Sequence, residues 1–240
     1  MRKYILPVLA AALILSLQFA PIAQAEPAPA YAQPYGTATP RDWDKHAPDG
    51  MLKDSAVKAD SAILIDEKTG KVLFEKNADK QQFPASITKI MTCLLAVEYL
   101  EDGHKKTDLV TVGTLPNLET DATNIDLKKG ETMPLWDLMN GLMIMSGNDA
   151  AIAIAVYIAG SLDDFVDMMN ARAQELGMTG THYMNPHGLH DPNHYTTARD
   201  MSILAREARR HPFFTDIVDT PSYKVAATNM HKERTWVGHN

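Results

Sequence analysis

The sequence contains a single cysteine and lacks an excess of basic residues. With one thiol, no disulfide can form within the chain, so stability must come from a core to which its 45% hydrophobic residues contribute. Cys93 lies in the apolar run Thr92-Cys93-Leu94-Leu95 and is predicted to be a small buried hydrophobic residue. Lysine and arginine number 23 against 30 acidic residues, which leaves a net charge of −7 and removes the electrostatic basis for binding nucleic acid.

The N-terminus has the features of an export signal. Basic residues at positions 2 and 3 precede an apolar stretch over 4–20, and Ala23-Gln24-Ala25 supplies an A-x-A cleavage site. We therefore predict a signal peptide over residues 1–25, with an uncleaved membrane anchor as the alternative, and an exported protein of the periplasm, cell envelope or extracellular space. Residues 26–56, rich in proline and alanine, are predicted to be a flexible spacer, and residues 57–240 a catalytic domain.

Ser86-Ile87-Thr88-Lys89 is the first candidate for chemistry. A serine hydroxyl needs an adjacent base to act as a nucleophile, and residues i and i+3 share one face of a helix. Pro84 and the apolar run after Lys89 predict a helix from Ser86 to about Glu101. Ser55-Ala56-Val57-Lys58 has the same spacing, but no apolar helical pattern follows it, so we assign it to the solvated spacer.

Ser146-Gly147-Asn148 is the second candidate. It connects two apolar segments, 138–145 and 149–159, and such a connection can present polar groups to a cleft. The alternative is that Ser146 is the N-cap of the helix that begins near Asp149.

Lys68-Thr69-Gly70 lies between two β-rich runs, 61–66 and 71–76, and is predicted to be a hairpin turn. No Lys-Thr-Gly, Lys-Ser-Gly or His-Thr-Gly follows Asn148. Four histidines could suggest zinc, but Pro192 and Asn193 make their segment a loop, and we expect loop hydrogen bonding and no metal; they are His182, His187, His190 and His194.

The other predicted elements follow from periodicity and caps. They are a short strand at 109–112, a helix opened by Thr132-Met133-Pro134 with Thr132 as cap and continuing to about Met143, a buried helix over 149–159, an amphipathic helix over 163–176 followed by Gly177, a helix over 198–210 that ends before Pro212, and a strand beginning at Tyr223.

Four segments together resemble the low-molecular-mass penicillin-binding proteins, which are D-alanyl-D-alanine carboxypeptidases of the serine β-lactamase and transpeptidase superfamily. They are Phe83–Thr92, Met145–Ala151, Asn185–Leu189 and Asp191–Asp200. The first two contain motifs of the S-x-x-K and S-x-N type, which in that superfamily are accompanied by Lys-Thr-Gly.

The resemblance implies roles for four residues. Ser86 would attack the carbonyl between the two terminal D-alanines of a peptidoglycan stem peptide, and Lys89 would accept its proton. Ser146 would relay the proton to the leaving D-alanine, and Asn148 would bind a substrate amide and help to orient Lys89. β-Lactams would be covalent inhibitors, and no cofactor is implied.

The resemblance also implies an α+β fold in which helices pack on an antiparallel sheet. Its third motif and later strands are not found up to Asn240, so we expect an incomplete catalytic domain, inactive by itself, and a peripheral membrane association through a C-terminal region beyond it. Alternatives are a β-lactamase, although no Glu-x-x-Leu-Asn segment is found, a cell-wall endopeptidase, or a non-catalytic cell-wall binding protein.

Overall fold

The computed structural model describes residues 56–116 and 122–238, which contain six α-helices and six β-strands. The predicted signal peptide, all but the last residue of the predicted spacer, and Ser55 lie outside the described residues. None of the helices in the described ranges is long and apolar enough to cross a membrane.

The first two strands form the predicted hairpin. Strand β1 (Ala62–Ile65) pairs antiparallel with β2 (Val72–Lys76), with an irregularity in register between Leu64 and Ile65. Asp66 Oδ1 accepts hydrogen bonds from the backbone N–H and hydroxyl of Thr69, at 2.7 and 2.6 Å, and Gly70 has a φ of 72°. Lys68-Thr69-Gly70 is therefore a turn, as predicted.

The helix that follows Ser86 is the centre of the core. A 3₁₀ turn over Ala85–Thr88 continues into α1 (Lys89–Glu101), so the predicted helix is confirmed, although its first turn is tighter than an α-helix. Met91, Leu94, Ala96 and Val97 are fully buried. Cys93 is fully buried as predicted, and burial raises the pKa of its thiol to about 12.

The prediction that Thr132 caps a helix is wrong. Thr132 belongs to β4 (Thr132–Pro134), which pairs antiparallel with β3 (Leu109–Thr111), and its hydroxyl lies 3.1 Å from that of Thr111. Helix α2 (Leu135–Ile144) begins after Pro134, which stands at the N-cap with an extended ψ of 143°. Pairing with β3, which is distant in the sequence, makes Thr132 part of a strand. The residues next to Thr132 gave no indication of this pairing.

Three further helices confirm the predicted pattern. Helix α3 (Asn148–Ala159) is buried over its first eight residues and packs on α1 and α2. Helix α4 (Leu162–Glu175) begins at Ser161, whose hydroxyl accepts the N–H of Asp164 at 3.0 Å. Thr197 is the N-cap residue of helix α5 (Ala198–Ala208), and its hydroxyl accepts the N–H of Asp200 at 3.0 Å.

The C-terminal part adds elements that were not predicted. Pro212 ends the preceding helical pattern but also opens α6 (Pro212–Val218), because proline fits the first helical position. Strand β5 (Ser222–Val225) contains the predicted strand residue Tyr223, and it pairs antiparallel with β6 (Arg234–Val237). The α+β prediction is confirmed, and the described strands form three two-stranded antiparallel sheets around the helices.

Candidate active site

The 3₁₀ turn before α1 brings the two predicted residues of the first motif together. Lys89 Nζ donates a hydrogen bond to Ser86 Oγ across 3.1 Å. The side chain of Ser86 is exposed, whereas Lys89 is only 2% exposed. An accessible hydroxyl is therefore hydrogen-bonded to a buried amine, which is the arrangement that a serine nucleophile and its base require.

The environment of Lys89 changes its protonation. Burial lowers the pKa of Lys89 to about 8, and the negative charge of Asp149 opposes that shift. A lysine with a pKa of about 8 is neutral in about one molecule in ten at pH 7, against roughly one in 10³ or fewer at an ordinary lysine pKa. Lys89 can therefore accept a proton near neutral pH.

The loop over residues 182–196 binds the same face of α1. Lys89 Nζ donates to the carbonyl oxygen of His187 at 2.7 Å, and Thr92 Oγ1 donates to that of Pro186 at 2.6 Å. The hydroxyl of Thr88 lies 2.8 Å from Nε2 of His194, which is buried. These three contacts fix the position of the amine relative to the loop.

The tautomer of His194 follows from its contacts. The backbone N–H of Met184 donates to Nδ1 at 3.2 Å, so in the neutral ring Nε2 carries the proton and donates to Thr88. Burial lowers the pKa of His194 to about 4, and the ring is therefore neutral at physiological pH. The pKa of His187 is lowered to about 4 as well, by burial and then by the charge of Lys89.

Gly188 lets the loop approach the backbone before Ser86. Its φ is 90°, and a Cβ atom at this position would collide with the carbonyl oxygen of Ala85. Ala85 itself has a φ of 49°, an uncommon conformation for a residue with a side chain. The loop and the Ser86 turn therefore form one closely packed unit.

Ser146 and Asn148 lie where α2 gives way to α3. Ser146 is half-buried with a φ of 55°, and Gly147 is the N-cap residue of α3 without a side-chain cap, so the alternative of Ser146 as N-cap is wrong. Asn148 begins α3, and its buried Oδ1 has no hydrogen-bond partner in the described parts of the chain. An unpaired buried oxygen is costly to the folded state. Helix α3 packs on α1, but within the described residues neither Ser146 nor Asn148 makes a hydrogen bond to Ser86 or Lys89.

The sequence predicts hydrogen bonds for all four loop histidines, and the side chains of three of them make such bonds. His182 Nδ1 lies 2.7 Å from the carbonyl oxygen of Asn193, and His187 Nδ1 accepts the N–H of Leu189 at 3.2 Å. His190 instead contacts the Phe83 ring edge-on, at a centroid distance of 4.6 Å.

A cluster with metal-ligand geometry in the described residues lies elsewhere, at Glu98, Glu207 and His211. Arg172 Nη2 lies 2.7 Å from a Glu98 oxygen and 3.2 Å from a Glu207 oxygen. The guanidinium already supplies the positive charge that a metal ion would bring, so we do not assign a metal to this cluster.

An open apolar cavity of about 440 Å³ lies beside the nucleophile turn, between β1 and α5. Its lining includes Ile63, Phe83, Pro84, Ile87 and Met201, but none of Ser86, Lys89, Ser146 and Asn148. The cavity is therefore adjacent to the candidate site, but the four candidate residues do not line it.

Two features of the site were not predicted from the sequence. One is the His187 carbonyl that binds Lys89. The other is Asp149, which is 3% exposed and accepts backbone hydrogen bonds from Ile125 and Leu127. A signal for the second was present, since Asp149 is the one acidic residue in the apolar stretch 149–159.

Comparison with known proteins identifies the family of the chain. The family model of D-alanyl-D-alanine carboxypeptidase matches residues 47–240. The chain is 41% identical over 165 residues to the D-alanyl-D-alanine carboxypeptidase DacF of Bacillus subtilis, covering 69% of this chain and 42% of the relative. It is 42% identical over 172 residues to DacC of Escherichia coli, covering 67% of this chain and 43% of the relative. The chain thus spans about two fifths of the length of these relatives.

Solved structures share the fold. Penicillin binding protein 6B from Escherichia coli matches with a TM-score of 0.69 and 32% identity, over 75% of this chain and 57% of that one. A D-alanyl-D-alanine carboxypeptidase from Mycobacterium tuberculosis matches with a TM-score of 0.70 and 29% identity, over 80% of this chain and 71% of that one. The fold is that of the penicillin-binding superfamily, and the chain belongs to the D-alanyl-D-alanine carboxypeptidase family.

Proposed function

We propose that the protein is a serine D-Ala-D-Ala carboxypeptidase, which removes the terminal D-alanine from peptidoglycan stem peptides through an acyl-enzyme on Ser86. The observation that carries the proposal is the exposed Ser86 hydroxyl, 3.1 Å from the buried amine of Lys89. Membership of the family supports this substrate class.

The reaction begins with proton transfer. Neutral Lys89 accepts the proton of Ser86 Oγ while that oxygen attacks the carbonyl carbon between the two D-alanines. The hydrogen bond to the His187 carbonyl uses one N–H of the neutral amine, which leaves its lone pair for Ser86. The backbone N–H of Ser86 supplies one hydrogen bond to the developing oxyanion.

The second half of the reaction releases the D-alanine. Ser146 relays a proton to the leaving amine as the carbonyl–nitrogen bond breaks, and the acyl group stays on Ser86 Oγ. Asn148, the first residue of α3, binds a substrate amide. Water finally hydrolyses the ester, and β-lactams inhibit by acylating the same oxygen.

We take residues 57–240 as part of the catalytic domain, and none of the strands described within it is assigned as the third-motif strand of the family. In the family, a Lys-Thr-Gly strand provides the second oxyanion donor and binds the substrate carboxylate. Lys68-Thr69-Gly70 occupies the turn between β1 and β2, and Asp66 binds Thr69 there, so it is not that strand.

We also propose that residues 1–25 direct export and that residues 26–56 separate the domain from the membrane, so that the enzyme works in the cell envelope. The basic pair, apolar stretch and A-x-A site support this location. Peripheral membrane association through a C-terminal region stays a prediction.

Product analysis tests the activity. The full-length protein, with any residues that follow Asn240, should release D-alanine from a peptide ending in D-Ala-D-Ala, and Ser86→Ala should abolish release. A matched assay of penicillin hydrolysis and of cross-linked peptide cleavage separates the alternatives. Faster turnover of penicillin than of the D-Ala-D-Ala peptide would indicate a β-lactamase, and turnover of neither would favour a binding protein.

A further inference from the structure

Asp149 is a buried carboxylate that accepts three backbone hydrogen bonds. Its Oδ1 accepts the N–H groups of Ile125 at 3.0 Å and Ala150 at 2.9 Å, and its Oδ2 accepts that of Leu127 at 2.9 Å. In return, the backbone N–H of Asp149 donates to the side chain of Asn124 at 3.3 Å. An ionised carboxylate only accepts hydrogen bonds, so it is well matched to three N–H donors.

These bonds hold the segment 123–127 against the turn that carries Ser146. The N–H of Asn148 donates to the Thr123 carbonyl at 2.8 Å. The Ile125 side chain fills the space beside two glycines, because added Cβ atoms at Gly141 and Gly147 would lie 2.7 and 3.1 Å from its methyl carbons. The position of Ile125 is therefore coupled to the conformation of the Ser146-Gly147-Asn148 turn.

The other side of the segment is anchored to β6. Arg234 Nη1 donates to the Ile125 carbonyl at 3.0 Å, and Nη2 of the same guanidinium pairs with Glu131 at 3.0 Å. Glu131 is completely buried and also accepts the hydroxyl of Thr228 at 2.8 Å. Ile125 is thus held by its N–H from the Asp149 side and by its C=O from the β6 side.

Asp149 also acts on Lys89 through its charge. Its negative charge favours protonated Lys89 and opposes the effect of burial. The other groups facing Lys89 are the Ser86 hydroxyl and the loop that contains His187 and His194, whose rings are neutral at physiological pH. The ionisable residues of the 123–128 segment itself, Asp126 and Lys128, are exposed.

We propose that Asp149 is a positioning residue of this site, which holds segment 123–127 across the Ser146-Gly147-Asn148 turn. The negative charge of the same carboxylate favours protonated Lys89. This inference rests on the proposed function of Ser86 and Lys89. It adds that one buried carboxylate affects both the protonation of Lys89 and the position of the turn that contains Ser146.

The pH dependence of Ser86 acylation tests the charge. If neutral Lys89 is the base, the acylation rate of the full-length protein by a fluorescent penicillin rises with pH through the pKa of Lys89. Asp149→Asn removes the charge that favours the protonated lysine. The rising limb of the plot of acylation rate against pH should therefore move to lower pH by about one unit. One unit is the low end of the effect of a close opposite charge on a pKa. The maximal rate should fall by about 10–100-fold, because the turn loses its support.

Two variants separate charge from structure. Asp200→Asn is the matched control, since Asp200 is also buried in the first turn of a helix and accepts the N–H of Gly180 at 2.8 Å. It should reduce thermal stability and leave the limb in place. Asp149→Glu keeps the charge with a longer side chain, so the limb should stay at the wild-type pH while the rate falls.

The outcomes are distinguishable. If wild-type protein is not acylated at Ser86, the proposed function fails. If it is acylated and Asp149→Asn leaves the limb in place, or Asp149→Glu moves it, the charge role is overturned. If Asp149→Asn does not fold, Asp149→Glu decides: a wild-type rate would overturn the positioning role.

Discussion

Lys89 Nζ is bound more closely by the His187 carbonyl, at 2.7 Å, than by Ser86 Oγ, at 3.1 Å. The loop carbonyl can only accept a hydrogen bond, so it fixes the direction of one N–H of the amine. The lone pair of the neutral amine is then free to point towards Ser86 Oγ. This relationship connects the loop over 182–196 to the protonation chemistry of the site. It also makes the geometry of that loop part of the proposed mechanism.

Replacing Lys89 by arginine tests its role as a base. Arginine keeps the positive charge but stays protonated in proteins, so it cannot accept the Ser86 proton. We expect acylation by penicillin to fall by roughly 10²–10⁴-fold, the usual range for general-base catalysis. Lys80→Arg, at an exposed ion pair with Asp60, is the control and should keep the wild-type rate. A near-normal rate in Lys89→Arg would mean that lysine provides charge alone.

Replacing Gly188 by alanine tests the close contact between the loop and the Ser86 turn. Gly160 has almost the same φ, 87°, and has open space around it. Gly160→Ala should cost only the conformational penalty of about 1–2 kcal/mol. Gly188→Ala adds the collision with Ala85, so we expect about 3 kcal/mol or more from urea unfolding, together with slower acylation. Equal costs for the two variants would contradict the contact.

The two buried histidines predict a loss of stability in acid. His187 and His194 have pKa values lowered to about 4, so between about pH 4 and 6.5 the unfolded chain binds more protons than the folded one. The free energy of unfolding should therefore decrease as the pH falls through that window, by at most ~1.4 kcal/mol per pH unit for each histidine.

Chemical unfolding at several pH values measures this slope. His194→Gln should reduce it, whereas His104→Gln, at a partly exposed side chain, should leave it unchanged. The same slope in His194→Gln and wild-type protein would show that His194 is not a source of the acid sensitivity.

Much of the site could be predicted because its first motif is local. The i, i+3 spacing of Ser86 and Lys89, the proline before them and the apolar run after them were sufficient to predict the helix and the pair. The assignment of Lys68-Thr69-Gly70 to a turn rested on equally local information. Each of these features depends on interactions within one helical turn or one hairpin.

The remaining features depend on contacts between distant segments. The bond from Lys89 to the His187 carbonyl spans 98 residues, and a backbone carbonyl gives no signal in a sequence. Thr132 was predicted as a helix cap because threonine favours caps, but its pairing with Thr111 prevails. The role of Asp149 depends on N–H groups 22 and 24 residues away.

The segment 26–240 by itself should not release D-alanine from a D-Ala-D-Ala peptide. In the proposed mechanism the backbone N–H of Ser86 is one oxyanion donor, no second donor is assigned among the described residues, and the loss of one such donor typically costs about 10²–10³ in rate. The comparison is with the full-length protein in the same assay. Equal release by the two proteins would show that the segment contains a complete site and that the third-motif role is filled within it.

The central claim is that Ser86 is the nucleophile, and mapping of the acylated residue tests it most directly. Full-length protein is treated with a β-lactam and digested with trypsin, which places Ser86 in peptide 81–89 and Ser55 in peptide 54–58. The account predicts that the mass of the bound drug is found on peptide 81–89 and disappears in Ser86→Ala. Drug mass on peptide 54–58, or labelling that persists in Ser86→Ala, would contradict it.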